Sequence, residues 1–295
     1  MSWSSQSLGS KSQHQFFYFL LRHNLLGLAS FILNLVVLYY VLNPKVRRRA
    51  RPYLKRRFPL ATSFEYLEHT YRLYKNFATV LLTRAQYGLT RKIQTIADAR
   101  AQEALNTALA EDKGCLILGA HVGAWQIALL GLEKSKRPIK IVQFRPGDLD
   151  KHYFEHDEKL KHEIKLIDPT DQLGTALSIA QALAKKEIVC LMGDRLSKEN
   201  SFATVNFLGS PIKIPLSAYQ IAAAAQVPIL VTMTTFKQGK IKVEIAEVWH
   251  VPHEAKDDPK LLQSFAEKYI LLLEKFVSSH PYNFFNFYDM WECDE

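Results

Sequence analysis

The chain has 295 residues, 48% of them hydrophobic, and carries 38 Lys and Arg against 29 Asp and Glu, a net charge of +9. That apolar content over that length buries a substantial core and excludes a disordered or low-complexity protein, while the positive excess favours anionic partners: a membrane surface, a nucleic acid or a phosphorylated substrate. Cys115, Cys190 and Cys293 are too few and too scattered for a disulfide framework or a zinc site, and read as reduced thiols of a cytosol-facing domain.

Residues 1–15 are polar and serine-rich and read as a flexible N-terminus. An aromatic stretch from Phe16 to Leu21 and a break at Arg22-His23-Asn24 precede an uncharged apolar run from Leu25 to Leu42. As a helix this run reaches about 27 Å, close to the roughly 30 Å of a bilayer core, so it reads as a spanning or monotopic anchor; the alternative is a buried hydrophobic helix. Lys45, Arg47, Arg48, Arg49, Arg51, Lys55, Arg56 and Arg57 follow directly. A basic cluster beside an apolar segment reads as contact with anionic lipid of the cytoplasmic leaflet, and it places everything after Arg57 in the cytoplasm. A nucleic-acid partner would need a recognition module or an aromatic platform, and neither is visible. The expected organisation is 1–15 flexible, 16–57 anchor and basic juxtamembrane segment, and 58–295 a single domain.

Apolar residues at helical spacing predict a helix from Ser63 to Leu89 and a second from Asp98 to Ala110. Gly114-Cys115-Leu116-Ile117-Leu118-Gly119 reads as a buried strand, and Gly123 to Lys134 as an amphipathic helix. Pro138–Phe144 reads as a strand, Lys151–Glu163 as a charged helix with solvated His152, His156 and His162, and Ile164–Ile167 as a short strand. A helix capped by Thr170 or Asp171 runs to Lys186, and Glu187–Gly193 is another buried strand. Ala203–Leu208 is a strand ending at Gly209, Ile214–Gln226 a helix, and Val227–Phe236 and Ile241–Glu247 a hairpin turned at Gln238-Gly239. Pro259 starts a last helix ending near Ser279, followed by an aromatic tail that must pack against something. Continuous apolar strands alternating with helices indicate an α/β fold: one mixed, largely parallel sheet flanked by helices, with an N-terminal anchoring helix.

His121 falls on the turn between strand and helix, at the carboxyl end of a strand, where open α/β sheets bind ligands and an imidazole can take a proton near neutral pH. The competing reading is a histidine that satisfies a loop hydrogen bond. Gln126, five residues on, can converge with it if His121 precedes the helix, as a partner that orients the base. Asp194 and Arg195 end another buried strand, and a local salt bridge fixing a loop is the simple reading of the two.

On these residues the chain resembles the lysophospholipid acyltransferase superfamily, whose motif is a histidine followed five residues later by Asp or Glu. It most resembles the branch of the late acyltransferases of lipid A synthesis, through Gly119-Ala120-His121-Val122-Gly123-Ala124-Trp125-Gln126, Met192-Gly193-Asp194-Arg195, Val205-Asn206-Phe207-Leu208-Gly209 followed by Pro215, and His280-Pro281 with its aromatic tail. The resemblance covers roughly residues 16–291 and implies a glycerol-3-phosphate acyltransferase-like fold on the cytoplasmic face of a bacterial inner membrane. It implies acyl transfer from an acyl carrier protein or coenzyme A thioester to a hydroxyl of a lipid or glycolipid, with no cofactor and no metal. His121 would be the base; Arg195, Arg145 and Lys213 would pair with anionic groups of the substrates, and Gly123, Trp125, Phe207 and Gly209 would shape the site. One departure stands out: the family's acidic residue is Gln126 here, which can accept a hydrogen bond from imidazole but cannot balance its charge. Asp194 is the best substitute; a protein that binds lipid without turnover is the alternative.

Overall fold

The computed structural model describes residues 11–90, 95–97, 99–130, 137–143, 164–196, 201–237 and 240–292. Its centre is β2 (Cys115–Gly119), an uncharged pentapeptide buried along its whole length. The other strands of its sheet are β1 (Thr95–Ala97), β3 (Ile139–Val142), β4 (Ile164–Ile167), β5 (Ile188–Met192), β8 (Pro228–Lys237) and β9 (Lys240–His250), in the order β1-β9-β8-β2-β5-β3-β4. From β8 to β4 all neighbours pair in parallel; β9 runs antiparallel to β8, and β1 follows β9. Parallel strands covered on both faces have no polar side, which is why β2 reads as an unbroken apolar run.

Register positions the site. Leu118 stands opposite Leu191 and Gly119 opposite Met192. Two residues beyond each, His121 and Asp194 therefore leave the sheet side by side at its carboxyl edge.

The remaining strands, β6 (Phe202–Phe207) and β7 (Ser210–Pro215), form a separate antiparallel ribbon. Leu208 (φ 52°) and Gly209 (φ 79°) turn it, the double left-handed geometry of a tight hairpin, which glycine adopts freely and leucine does not. The helix expected from Ile214 starts at Ser217 instead. Ile212 and Ile214 alternate with Pro211 and Lys213, a period of two, and pairing with β6 takes the segment into a strand.

The N-terminal layer comprises α1 (Lys11–Arg22), α2 (Leu26–Leu42), α3 (Pro44–Arg57) and α4 (Ser63–Thr90). Helix α1 begins at Lys11, so residues 11–15 are helical rather than loose. The basic run is itself a helix: Pro44 occupies its first position, the Asn43 side chain accepts from Lys45 N at 2.9 Å, and the axis bends by 86° from α2. Its inner face buries Val46, Ala50, Tyr53 and Leu54. Among the described residues no single helix is long and apolar enough to cross a membrane; α2 and α3 pass that test only as the bent pair. Helix α2 buries Ala29, Val37 and Val41 and leaves Phe31, Leu35, Leu38, Tyr39 and Leu42 exposed.

The other helices are α5 (Ala99–Ala110), α6 (Trp125–Leu130), α7 (Gln172–Ala184), α8 (Ser217–Ala225) and α9 (Pro259–Ser279). Asp171 caps α7 by accepting from Gly174 N at 3.1 Å, and Asp258 caps α9. The stripe Leu262, Phe265, Ala266, Tyr269, Ile270, Leu273, Phe276 and Val277 lays α9 across the core. The Lys151–Glu163 helix with its three histidines, Arg145, Cys293 and the Gln238-Gly239 turn lie outside the described residues.

Candidate active site

The turn from Gly119 to Gly123 is held by hydrogen bonds from almost every side. Gly119 O accepts from the Tyr269 hydroxyl at 2.8 Å and from Gly193 N at 2.9 Å. His121 N donates to Asp194 Oδ2 at 3.1 Å, and His121 O accepts from Phe285 N at 2.9 Å. Val122 O accepts from the Thr234 hydroxyl at 2.6 Å, and Gly123 N donates to Asn283 O at 2.7 Å. Gly123 has φ 52°, and a Cβ there would lie 2.0 Å from Thr234 O; only glycine fits.

Within this frame His121 Nδ1 lies 2.9 Å from Asp194 Oδ1. An ionised carboxylate only accepts, so Nδ1 carries the proton and Nε2 is left as the acceptor. The His121 side chain keeps 19% of its exposure, whereas Asp194 keeps 2%; the imidazole is reachable and its partner is not. Burial pulls the His121 pKa below its ordinary value, opposed by the Asp194 charge and reinforced by Arg195. Burial alone would raise the Asp194 pKa, but the charge and hydrogen bond of His121, the nearby Arg195 and the His121 N–H outweigh it, and the net direction is down. At neutral pH the pair is a neutral imidazole on a carboxylate, the resting state of a general base.

Gln126 is elsewhere. Its Oε1 accepts from Arg84 Nη1 of α4 at 2.5 Å, so the expected convergence with His121 gives way to a contact between α6 and α4. With α6 starting only at Trp125, Gln126 sits in its first turn, and it is Trp125 that meets the imidazole, edge to face at 5.6 Å.

Arg195 Nη2 donates to Phe285 O at 3.1 Å, and its guanidinium lies 5.8 Å from the Tyr288 ring, so it joins the strand end to the C-terminal tail. Phe207 is fully buried between Phe284 and Trp291, and Gly209 turns the ribbon with open space around its Cα; neither is in described contact with His121 or Asp194. Lys213 Nζ lies over the Phe202 ring at 4.8 Å on the same ribbon, and no described contact joins it to His121 or Asp194.

Beside the His121 turn lies a small apolar pocket. Gly119, Ala120, Val122, Trp125, Ala128, Met192 and Thr234 are among its lining residues. Cys190 also lines it, a thiol whose pKa burial raises far above its ordinary value, so it behaves as an apolar side chain.

Arg84, Thr234, Tyr269 and Asn283 were not singled out from the sequence. Nothing local marks the first three; the dense aromatics of the tail were the one signal that residues around Asn283 must cover something.

A family model described as bacterial lipid A biosynthesis acyltransferase matches residues 26–292. No curated protein sequence matches the chain.

Proposed function

The chain belongs to the bacterial lipid A biosynthesis acyltransferase family and is an acyltransferase, and we propose that it uses the His121–Asp194 pair to move an acyl chain from a carrier thioester to a hydroxyl of a membrane lipid. The observation that carries this reading is the 2.9 Å contact between His121 Nδ1 and Asp194 Oδ1. Nε2 takes the proton of the acceptor hydroxyl as its oxygen attacks the thioester carbonyl carbon. The carbon–sulfur bond then breaks, and the imidazolium returns that proton to the departing thiolate, leaving an ester and a free thiol. Asp194 keeps the proton on Nδ1 and balances the transient positive charge, the part assigned to an acid five residues after the histidine in the family motif.

The donor is an acyl carrier protein or coenzyme A thioester, and the acceptor a lipid or glycolipid. The apolar residues beside Trp125 suit contact with the acyl chain, and Arg195 offers positive charge to an anionic group near the base. The exposed apolar side of α2 and the exposed Lys45, Arg48, Arg49, Arg51 and Lys55 of α3 lie together in the N-terminal layer and support association with an anionic leaflet on the cytoplasmic face of the inner membrane.

The test is transfer from radiolabelled acyl-carrier-protein and acyl-coenzyme A thioesters into a total bacterial lipid extract. Loss of the labelled lipid in a folded His121→Ala variant is expected. Transfer retained by that variant would remove His121 from the mechanism.

A further inference from the structure

The tail from His280 to Trp291 crosses the His121 turn as a strap, and the N-terminal layer holds the strap down. Val122 and Phe284 form an antiparallel bridge, flanked by the bonds from Gly123 N to Asn283 O and from Phe285 N to His121 O. On its other side the strap meets α3 and α4. The hydroxyl of Tyr53, a residue with no exposed surface, donates to Pro281 O at 2.7 Å, and its ring stands edge-on to Phe284 at 5.2 Å. Asn76 Nδ2 donates to Tyr282 O at 3.0 Å. Further along, the Arg56 guanidinium lies 4.3 Å from the centre of the Trp291 ring, and Arg57 donates to Val277 O and Ser278 O where α9 ends.

Consecutive contacts thus run from the basic helix to the imidazole: Tyr53 to Pro281 and Phe284, Phe284 to Val122, Val122 to His121. The strap's peptide groups near the turn are committed to the turn, so its position is set by whatever grips its far side. The side-chain bonds to its peptide groups there come from the Tyr53 hydroxyl and the Asn76 amide, beside the His69–Tyr282 contact and the rings of Tyr74 and Phe77 on Phe285 and Phe287. We propose that Tyr53 and Asn76 are positioning residues for His121, holding the strap that holds the catalytic turn.

This rests on His121 acting as the base, and it adds that the helix carrying the exposed basic charges is mechanically part of the active site. A loosened strap leaves donor binding intact, since Tyr53 and Asn76 line no part of the described pocket, but it lets the turn drift and admits water to the imidazole. Misplacement of a catalytic group costs rate rather than affinity. Water would also relieve the burial that holds the His121 pKa down. The groups facing the imidazole are Asp194 and Arg195 after β5, Tyr269 from α9 through Gly119 O, and Tyr288 of the strap beside Arg195; Asp194 and Tyr269 make no described contact with the strap's far side, while Arg195 is tied to the strap through Phe285 O, and moving its charge away would likewise raise the His121 pKa.

The experiment compares full-length wild type, Tyr53→Phe and Asn76→Ala, with Tyr74→Phe as control. The control also loses a buried tyrosine hydroxyl, one that donates to Val46 O within the α3–α4 contact rather than to the strap, and it keeps the ring that stacks on Phe287 of the strap. With a lauroyl acyl-carrier-protein thioester as donor and a total bacterial lipid extract as acceptor, Tyr53→Phe and Asn76→Ala are expected to lower kcat about tenfold while the donor KM stays within about twofold. The acid limb of kcat moves to higher pH in both, and Tyr74→Phe matches wild type. Titration of the His121 imidazole by NMR in detergent micelles is expected to show the same upward movement without reference to turnover. Unchanged kcat and unchanged titration in folded Tyr53→Phe overturn the proposal, as does an equal fall in Tyr74→Phe. If Tyr53→Phe does not accumulate, the same two readings of Asn76→Ala decide. Failure of the base itself shows separately, as transfer retained in His121→Ala.

Discussion

His121 and Asp194 are 73 residues apart in sequence and 2.9 Å apart in space, because β2 and β5 are parallel neighbours in a register that brings both residues to the same level past the sheet edge. Asp194 holds the histidine twice, by ring and by main chain. Orientation of the imidazole is therefore set by a strand end, not by the helix that follows the histidine.

Asp194→Asn tests that division of labour. The amide can still accept from His121 N, but its N–H₂ turned to Nδ1 would favour the wrong tautomer and leave the imidazolium without a counter-charge. A fall in kcat of about 10²–10⁴ is expected, the upper value being the cost of the same exchange in the serine-protease triad. Steady-state transfer assays with the thermal midpoint checked in parallel would show it.

Gln126→Glu would restore the family's acidic residue, yet no gain in activity is expected. The new carboxylate would pair with Arg84, whose guanidinium already donates to position 126, and would add up to about 1 kcal/mol of stability. Chemical denaturation measures the second effect. A large rise in kcat would mean that position 126, not Asp194, serves the base.

Gly123→Ala combines a left-handed backbone with a Cβ placed 2.0 Å from a main-chain oxygen of β8. A loss of more than about 2 kcal/mol is expected, together with loss of transfer, because neither β8 nor the turn can yield without breaking the bonds around His121. Urea denaturation gives the stability term.

The pH dependence follows from the two shifted pKa values. An imidazole with its pKa held below 6.5 stays neutral somewhat below that value, so if His121 acts as the proposed base, kcat is expected to persist into mildly acidic buffer and to fall only through the lowered folded-state pKa. Stability has the same sign. As pH falls below 6.5 the unfolded chain takes up a proton on His121 that the folded chain refuses until its lower pKa, so stability is progressively lost across that window. Asp194, its folded pKa held below 3.8, contributes stability above that value that disappears as pH falls through the folded pKa. Kinetic profiles and denaturation midpoints from neutral to acidic pH separate the two windows.

The eight basic residues of the α3 segment are not equivalent. Arg47 caps the end of α2 through Val41 O and Leu42 O, and Arg56 and Arg57 are used on the strap and α9. Arg48→Ser, Arg49→Ser and Lys55→Ser together are expected to weaken partition onto anionic vesicles about 100-fold, at about 1 kcal/mol per exposed charge, with little change in the folding midpoint. Arg57→Ser alone is expected to do the reverse. Vesicle sedimentation and thermal melting would distinguish them.

Much of this was legible in the sequence because it depends on local chemistry. Uncharged runs become buried strands, Asp171 and Asp258 cap the helices they precede, and a histidine after a glycine-bounded strand reaches the sheet's carboxyl edge. The four ordered motifs carried the family, and the basic run after an apolar one carried the leaning towards an anionic surface. What only the tertiary structure decided are pairings between distant parts of the chain: the contact of Asp194 with His121, which the sequence offered only as a candidate, Arg84 on Gln126, β7 drawn away from the helix after it, and an aromatic tail folded into a strap over the His121 turn. Periodicity and capping specify which way a segment's own residues face. Strand register and the docking of one element on another are set by the whole core at once, and it is register that puts a carboxylate within reach of the imidazole.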